Sequence, residues 1–245
     1  MRFWGAIGLI LGLTGTAGAA QPLIFDIYDQ YGWSCEKQTT GAPCLMPMLI
    51  ATLAERSGVM LQHETVPIPR LGDRLRRGQA YFTLLSRPSE PGVAILGELL
   101  SVPLLAIGRR QGQQIRRFDD LYTLPQGVGM LLGTNYGSPM LADPRLPRVD
   151  VSDSVLGLRM LASGRLDALV GSQVTLVGQA REAQLTDKLG DRLVLGSMPF
   201  RLAVAEENRN APATLAVLEA ARAMQADGTV AALLDQVTNA AWAAR

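Results

Sequence analysis

The sequence predicts an α/β fold with mainly parallel sheets. Two observations carry this. Apolar runs of strand length alternate with helix-period patterns along the whole chain, and turn residues separate them at short intervals. At 245 residues the chain is long enough for one large or two small domains with a full apolar core, and it holds no repeat and no low-complexity tract.

Residues 1–20 read as a leader. Met1 and Arg2 give a positive start, 3–13 is apolar but glycine-rich and too short for a confident span, and Ala17-Gly18-Ala19 fits a cleavage signal. Cleavage after Ala19 or Ala20 frees a chain starting near Gln21. An uncleaved anchor is the alternative. The formal charge of +1 falls to about zero without Arg2, and with no basic stripe this argues against nucleic acid as a partner. Two cysteines follow, Cys35 and Cys44. An exported chain can oxidise them to a disulfide, and two free thiols are the weaker reading. With one histidine, His63, in a strand-like run, no metal or cofactor site is expected.

The first strand is 22–28, followed by a loop, 29–43, that carries Tyr31, Trp33 and both cysteines. Residues 45–56 form a helix with Leu49, Ile50 and Leu53 as its apolar stripe, ended by Gly58. A strand at 59–66 leads to a short helix that Pro69 opens and Gly78 closes, with Leu71 and Leu75 inward. Arg70, Arg74 and Arg77 share one face of it; Arg74 and Arg77 suit a solvated face, and Arg70 is the one placed to reach inward. A strand at 80–85 ends in the loop Ser86 to Pro91. A further strand covers 102–108, and 118–124 is a short helix whose first turn holds Asp119 and Asp120.

The stretch from Gly127 to Met140, GVGMLLGTNYGSPM, concentrates the chemistry. Its apolar start is a buried strand. Gly133 to Ser138 is a loop of glycines, hydroxyls and an amide, and a helix capped by Ser138 follows. A strand that feeds a helix through small polar residues gathers free backbone N–H groups, which favour an anion or a carbonyl. The plain alternative is a βα turn that binds nothing. Beyond it come a strand at 148–151, a helix capped by Ser152 or Asp153 through Val155, Leu158 and Leu161, and a strand at 166–171 from which Ser172 opens the next helix. Strands at 192–196 and 201–205, separated by Ser197-Met198-Pro199, precede two final helices. Their stripes are Leu215, Leu218 and Met224, then Val230, Leu233, Leu234 and Val237.

In open α/β sheets ligands sit beyond the carboxyl ends of strands. The loops there are 29–33, 86–87, 133–138 and 171–173. The candidate ligand-binding residues are therefore Tyr31 and Trp33, able to stack on a ligand, Arg70 and Arg87 for an anion, Ser86, Thr134 and Asn135 as polar contacts, Tyr136 as a wall, and Ser172. For Tyr31 and Trp33 the alternative is packing beside the cysteines; for Arg87, a surface position; for Ser172, a helix cap. Asp167 suits a structural carboxylate that accepts local backbone bonds, and Arg165 a solvated turn residue.

Six stretches in register carry a family likeness. They are the leader; Tyr31-Gly32-Trp33 after the first strand; Val66-Pro67-Ile68-Pro69-Arg70 with Gly78; Ser86-Arg87-Pro88-Ser89-Glu90; Gly127 to Tyr136; and Ala162-Ser163-Gly164-Arg165-Leu166-Asp167-Ala168. In these the chain resembles the periplasmic solute-binding proteins of ATP-driven uptake systems, in their polar amino-acid-binding family. The resemblance implies a two-lobe fold, each lobe a mainly parallel sheet flanked by helices, joined by two crossing strands. Lobe one would be 21–103 plus 197–245, and lobe two 104–196. It also implies a monomer in the periplasm that takes a small polar solute to an inner-membrane permease. Two positions depart from the family. The arginine that pairs with the ligand carboxylate is here Pro91, and the aspartate that pairs with the ligand amine is here Ser172. Both ion pairs that read a zwitterion are thereby lost, so a standard α-amino acid is not the expected ligand.

Two other readings stay open. An enzyme on the same scaffold, a dehydratase or hydrolase of a small acid, would need a loop carboxylate such as Asp29 or Glu90, and no GxSxG, HExxH or P-loop motif supports it. A sensing module for a membrane receptor would share every feature above.

Overall fold

The computed structural model describes residues 21–36, 38–86, 90–132, 136 and 139–238. The leader, Arg87, Thr134, Asn135 and Ser138 lie outside them.

Among the described residues eight strands form one sheet. They are β1 (Leu23–Tyr28), β2 (Leu61–Val66), β3 (Phe82–Leu85), β4 (Val93–Arg109), β5 (Val128–Leu131), β6 (Arg148–Val151), β7 (Ala168–Ser172) and β8 (Leu189–Ala205), in the order β2-β1-β3-β8-β4-β7-β5-β6. At one end β1 pairs in parallel with β2 and β3; at the other β5 pairs in parallel with β6 and β7. Between them β4 and β8 run antiparallel to each other along their length, from Val93 opposite Ala205 to Arg109 opposite Leu189. The mainly parallel reading therefore holds for the two ends, and the centre is antiparallel.

The strand expected at 102–108 extends back to Val93, and the two expected at 192–196 and 201–205 are one strand, β8. Ser197-Met198-Pro199 breaks the local pattern, yet Pro199 lies opposite Ser101 where β8 has a neighbour on one side only, so its missing N–H is tolerated. The register between β4 and β8 shifts at Leu104/Leu105, close to Gly196, whose φ of 151° is open to glycine.

Among the described residues six helices pack on this sheet: α1 (Leu45–Ser57), α2 (Leu71–Arg76), α3 (Ser154–Ala162), α4 (Gln173–Glu182), α5 (Pro212–Ala226) and α6 (Thr229–Thr238). Gly58 ends α1 in the left-handed conformation, φ 67°. Asp153 caps α3 by accepting the Leu156 N–H, and Ser172 caps α4 by accepting the Thr175 N–H. Residues 118–123 and Pro139–Ala142 are 3-10 turns where helices were expected. Pro144 follows Asp143 directly and stops the second from lengthening. On α5 the buried face is Thr214, Val217, Ala220, Ala221 and Met224, and Leu215 points outward, 50 % exposed.

Three apolar clusters divide the molecule into two lobes. One joins Phe25, Leu49 and Phe82 to Leu202, Val217 and Met224. The others line the two faces of the second lobe's sheet. Leu104 and Ala106 of β4 enter one with Val128 and Val170, and Leu105 and Ile107 enter the other with Leu161 and Leu169. That division is the two-residue alternation of a strand buried on both faces.

Within the first lobe, Asp26 on β1 has no exposed surface and accepts from Arg74 Nε at 2.7 Å and Nη2 at 3.1 Å. Burial pushes the Asp26 carboxyl up, and the Arg74 guanidinium pulls it back. The same guanidinium reaches Glu64. Arg74 is thus the partner of a buried carboxylate and not part of a solvated face. Asp167 is buried too, and it accepts the Gln126 N–H at 2.7 Å and pairs with Arg109 at 3.2 Å.

Candidate functional site

Where the strand tips of the two lobes face each other, the last residue of β1, Tyr28, donates its hydroxyl to Leu84 O at 2.6 Å and turns its ring inward. The loop after it folds back through a turn at Gly32, φ 80°, and inserts Trp33, which is 1 % exposed. The indole packs on Phe200 of β8, ring centroids 4.5 Å apart, and edge-on against Tyr28 at 5.1 Å. The Cys35–Cys44 disulfide closes the same loop and ties it to the start of α1.

The loop meets the first turn of α4 in the other lobe. Trp33 Nε1 donates to Thr175 Oγ1 at 3.1 Å. The Ser172 hydroxyl donates to the same oxygen at 2.9 Å, and the Thr175 hydroxyl passes its own proton towards Gln30 Oε1 at 3.4 Å. Ser172 Oγ accepts the Thr175 N–H in turn. The hydroxyl pair is thereby satisfied as a unit. Backbones approach closely here. A Cβ on Gly178 would lie 2.7 Å from Gly32 N, and one on Gly32 would lie 2.5 Å from Val174 O. Glu182 on the same helix accepts the Thr39 N–H at 3.1 Å.

A cavity of about 230 Å³ lies under this contact. The first lobe supplies Tyr28, Gln30, Trp33, Leu71, Leu85 and Ser86 to its wall. The second supplies Leu131, Tyr136, Ser154, Gly171, Ser172 and Thr175, and the crossing strand β8 adds Met198 and Phe200. The Tyr136 hydroxyl accepts the Leu131 N–H at 2.9 Å and donates to Val170 O, which stands its ring against the end of β5. No charged side chain lines the cavity among the described residues.

Of the residues the sequence singles out, Trp33, Ser86, Tyr136 and Ser172 line this cavity. Tyr31 faces a smaller one of about 140 Å³ beside Arg159 and Gln179. Arg70 is exposed and outside the lining, although Ile68 of the same turn contributes to it. Arg87, Thr134 and Asn135 are outside the described residues; Ser86 on one side, and Leu131 and Tyr136 on the other, bracket them. The sequence reading misses Tyr28, Gln30, Ser154, Thr175, Met198 and Phe200. Thr175 could have been found as the third residue after the Ser172 cap, where a hydroxyl returns to the same face. Met198 and Phe200 carry no local signal, since the crossing strand alone brings them here. Of the two carboxylates weighed for catalysis, Glu90 pairs with Arg76 at 2.9 Å, and neither it nor Asp29 lines the cavity. No group of three or more His, Cys, Asp or Glu side chains able to hold a metal ion occurs among the described residues.

This arrangement, two lobes on a pair of crossing strands with a cavity between their strand tips, is the periplasmic-binding-protein fold of the second type. An ancestral cationic amino acid solute-binding protein is similar to this chain at 18 % identity, over 89 % of this chain and 95 % of that one, with a TM-score of 0.68. The second VFT domain of Bordetella pertussis BvgS is similar at 16 % identity over 88 % and 92 %, TM-score 0.67. A histidine kinase sensor domain described as similar to periplasmic binding proteins follows at 17 % identity over 89 % and 96 %, TM-score 0.63. No family model and no curated protein sequence matches the chain. Among the described residues no helix is long and apolar enough to cross a membrane.

Proposed function

We propose that the protein is an extracytoplasmic solute-binding module without enzymatic activity. It captures a small solute bearing polar groups between lobe 21–103 plus 197–245 and lobe 104–196, and as a monomer hands it to an inner-membrane permease. Residues 1–20 are the leader that sends it to the periplasm. The single observation behind this reading is the shared wall of the cavity, built by both lobes and bridged by Trp33 and Thr175. A site assembled from two hinged bodies couples occupancy to their closure, and closure gives a membrane partner a shape to recognise. Calorimetric titration of ligand-stripped protein against a panel of amino acids, amides, organic acids and sugars, with small-angle scattering of the same samples, tests it. Saturable binding with a fall in the radius of gyration is expected. Binding of no solute, with scattering unchanged throughout, would sink the proposal.

A second reading, a sensing module docked on a membrane receptor, draws support from the likeness to the histidine kinase sensor domain. Cross-linking in intact cells separates the two by what is trapped: a permease subunit or a receptor ectodomain.

A further inference from the structure

Helix α4 belongs to the second lobe by its place in the chain, yet the first lobe grips it along its length. At its start Thr175 accepts from Trp33 Nε1, and Val174 enters the apolar cluster of the first lobe. At its middle Gly178 lies against the backbone of Gly32. At its end Arg181 Nη2 donates to Val237 O of α6 at 3.0 Å. The Glu182 carboxylate accepts there from the Thr39 N–H at 3.1 Å and from the Thr39 hydroxyl. Ten residues of helix span about 15 Å, so these contacts hold α4 as a rod at both ends.

The loop that supplies Trp33 and Thr39 has two parts, held differently. Gly32 O and Trp33 O accept the Leu45 and Met46 N–H groups at 2.9 and 3.1 Å, which fastens the stem to the start of α1 without help from the cysteines. Thr39 lies inside the ring that Cys35 and Cys44, nine residues apart, close between them. The bond removes most conformations of that ring before Glu182 is met. Glu182 depends on the ring in turn. As the last residue of α4 its charge stands at the negative end of the helix dipole. The Thr39 hydroxyl and N–H offset this and hold its carboxyl below the usual carboxylate range.

We propose that the Cys35–Cys44 bond is a redox-sensitive latch on lobe closure. Intact, it presents Thr39 to Glu182 and favours the closed arrangement, in the solute-free protein as well. Reduced, it lets Thr39 go and shifts the resting balance towards the open one. The proposal rests on reading the lobes as hinged bodies around a solute site, and it adds a control of that site from residues outside its lining. A dithiol supplies the two electrons. Its thiolate attacks the sulfur of Cys35, an exposed residue, whereas Cys44 is 1 % exposed. The Cys35–Cys44 bond breaks, a mixed disulfide forms on Cys35, and Cys44 leaves as a thiolate that takes up a proton. The second thiol of the reagent attacks its own sulfur in the mixed disulfide, closes a cyclic disulfide and frees Cys35 as a thiol. The stem and the Trp33–Thr175 bond outlast this step. The closed-to-open ratio therefore falls by about threefold to tenfold and closure is not abolished.

The test is small-angle scattering of the solute-stripped mature chain, oxidised and after dithiothreitol, with circular dichroism of the same samples. The radius of gyration is expected to rise on reduction while the helical signal is kept, and Cys35→Ser with Cys44→Ser should show the same rise without the reagent. Glu182→Ala, its disulfide intact, should show a raised radius that dithiothreitol does not raise further. An unchanged radius on reduction overturns the proposal, and so does a response of Glu182→Ala to dithiothreitol as large as the parent's. Should reduction abolish the helical signal, the oxidised Glu182→Ala variant decides, and a parent-like radius there overturns the latch. An unresponsive radius beside saturable solute binding removes the latch and leaves the solute site standing. Binding of no solute removes the site the latch controls and overturns both.

Discussion

The indole N–H of Trp33 and the hydroxyl of Thr175 meet at 3.1 Å across 142 residues of sequence, one from each lobe. Thr175→Val keeps the shape of the side chain and removes the acceptor. A buried indole N–H left unsatisfied costs about 1–3 kcal/mol, charged to the closed arrangement alone. Solute affinity should fall about tenfold or more, since ~1.4 kcal/mol is a factor of ten. Calorimetry reads the affinity and tryptophan emission reads the exposure of Trp33. An unchanged affinity would mean that the bond does not contribute to closure.

Gly178 and Gly32 bring two backbones together where a single methyl has no room, with Gly32 N only 2.7 Å from a built Cβ. Backbone cannot swing aside as a flexible side chain can. Gly178→Ala should therefore hold the loop off α4 and keep the lobes apart. Scattering is expected to show a larger radius of gyration with solute present than the parent protein shows. A parent-like radius would contradict this account.

Arg74 and Asp26 form the buried pair of the first lobe. Arg74→Met strands the carboxylate and should destabilise the protein by about 3 kcal/mol at neutral pH. Without the guanidinium, burial and the neighbouring Glu64 charge both act on Asp26 and raise its folded pKa further above the unfolded value of 3.8. The stranded carboxylate takes up a proton at acid pH, so the penalty is absent below the unfolded pKa and grows as pH rises through the folded one. Urea unfolding at pH 7 and pH 4 should show the gap between parent and variant narrowing on acidification. A gap that stays constant between pH 7 and pH 4 would mean that Asp26 is not ionised in the fold.

Asp227, at the junction of α5 and α6, accepts from Thr229 and Arg56 and thereby ties that junction to α1. Those partners hold its carboxyl down, at about 2 against an ordinary 3.8. The sign is that of a depressed acid: the stabilisation is whole above 3.8 and is lost as pH falls from there towards 2. Asp227→Asn should lower the melting temperature by about 2 °C at pH 7, with the two curves merging near pH 2. A difference that persists at the lowest pH would assign the effect to packing.

The alternation of strand and helix was legible because period two and period 3.6 are local properties, and so were the caps at Asp153 and Ser172. The two crossing strands came from the family likeness; their full length was not legible. Val93 to Ser101 follows Pro91-Gly92 and goes unassigned in the sequence, and Ser197-Met198-Pro199 separates two expected strands; the pairing of β4 with β8 runs through both. The site divides the same way. Trp33, Ser86, Tyr136 and Ser172 stand in loops at strand tips and could be named from their place in the chain. Gln30, Thr175 and Phe200 matter through what faces them, and Arg74 was misjudged because its partner Asp26 is 48 residues away.

The cluster that holds Phe25 and Leu49 also holds Val217 and Met224, and β3, paired with β1 on one side, finds its second neighbour in residues 201–203. Residues 23–85 are therefore left half-built on the ribosome, their apolar faces waiting for residues 201–224. The middle of the chain, contiguous in sequence, can consolidate first. A polypeptide laid out this way completes its first lobe only after residues 201–224 have been added, well after the second lobe is whole.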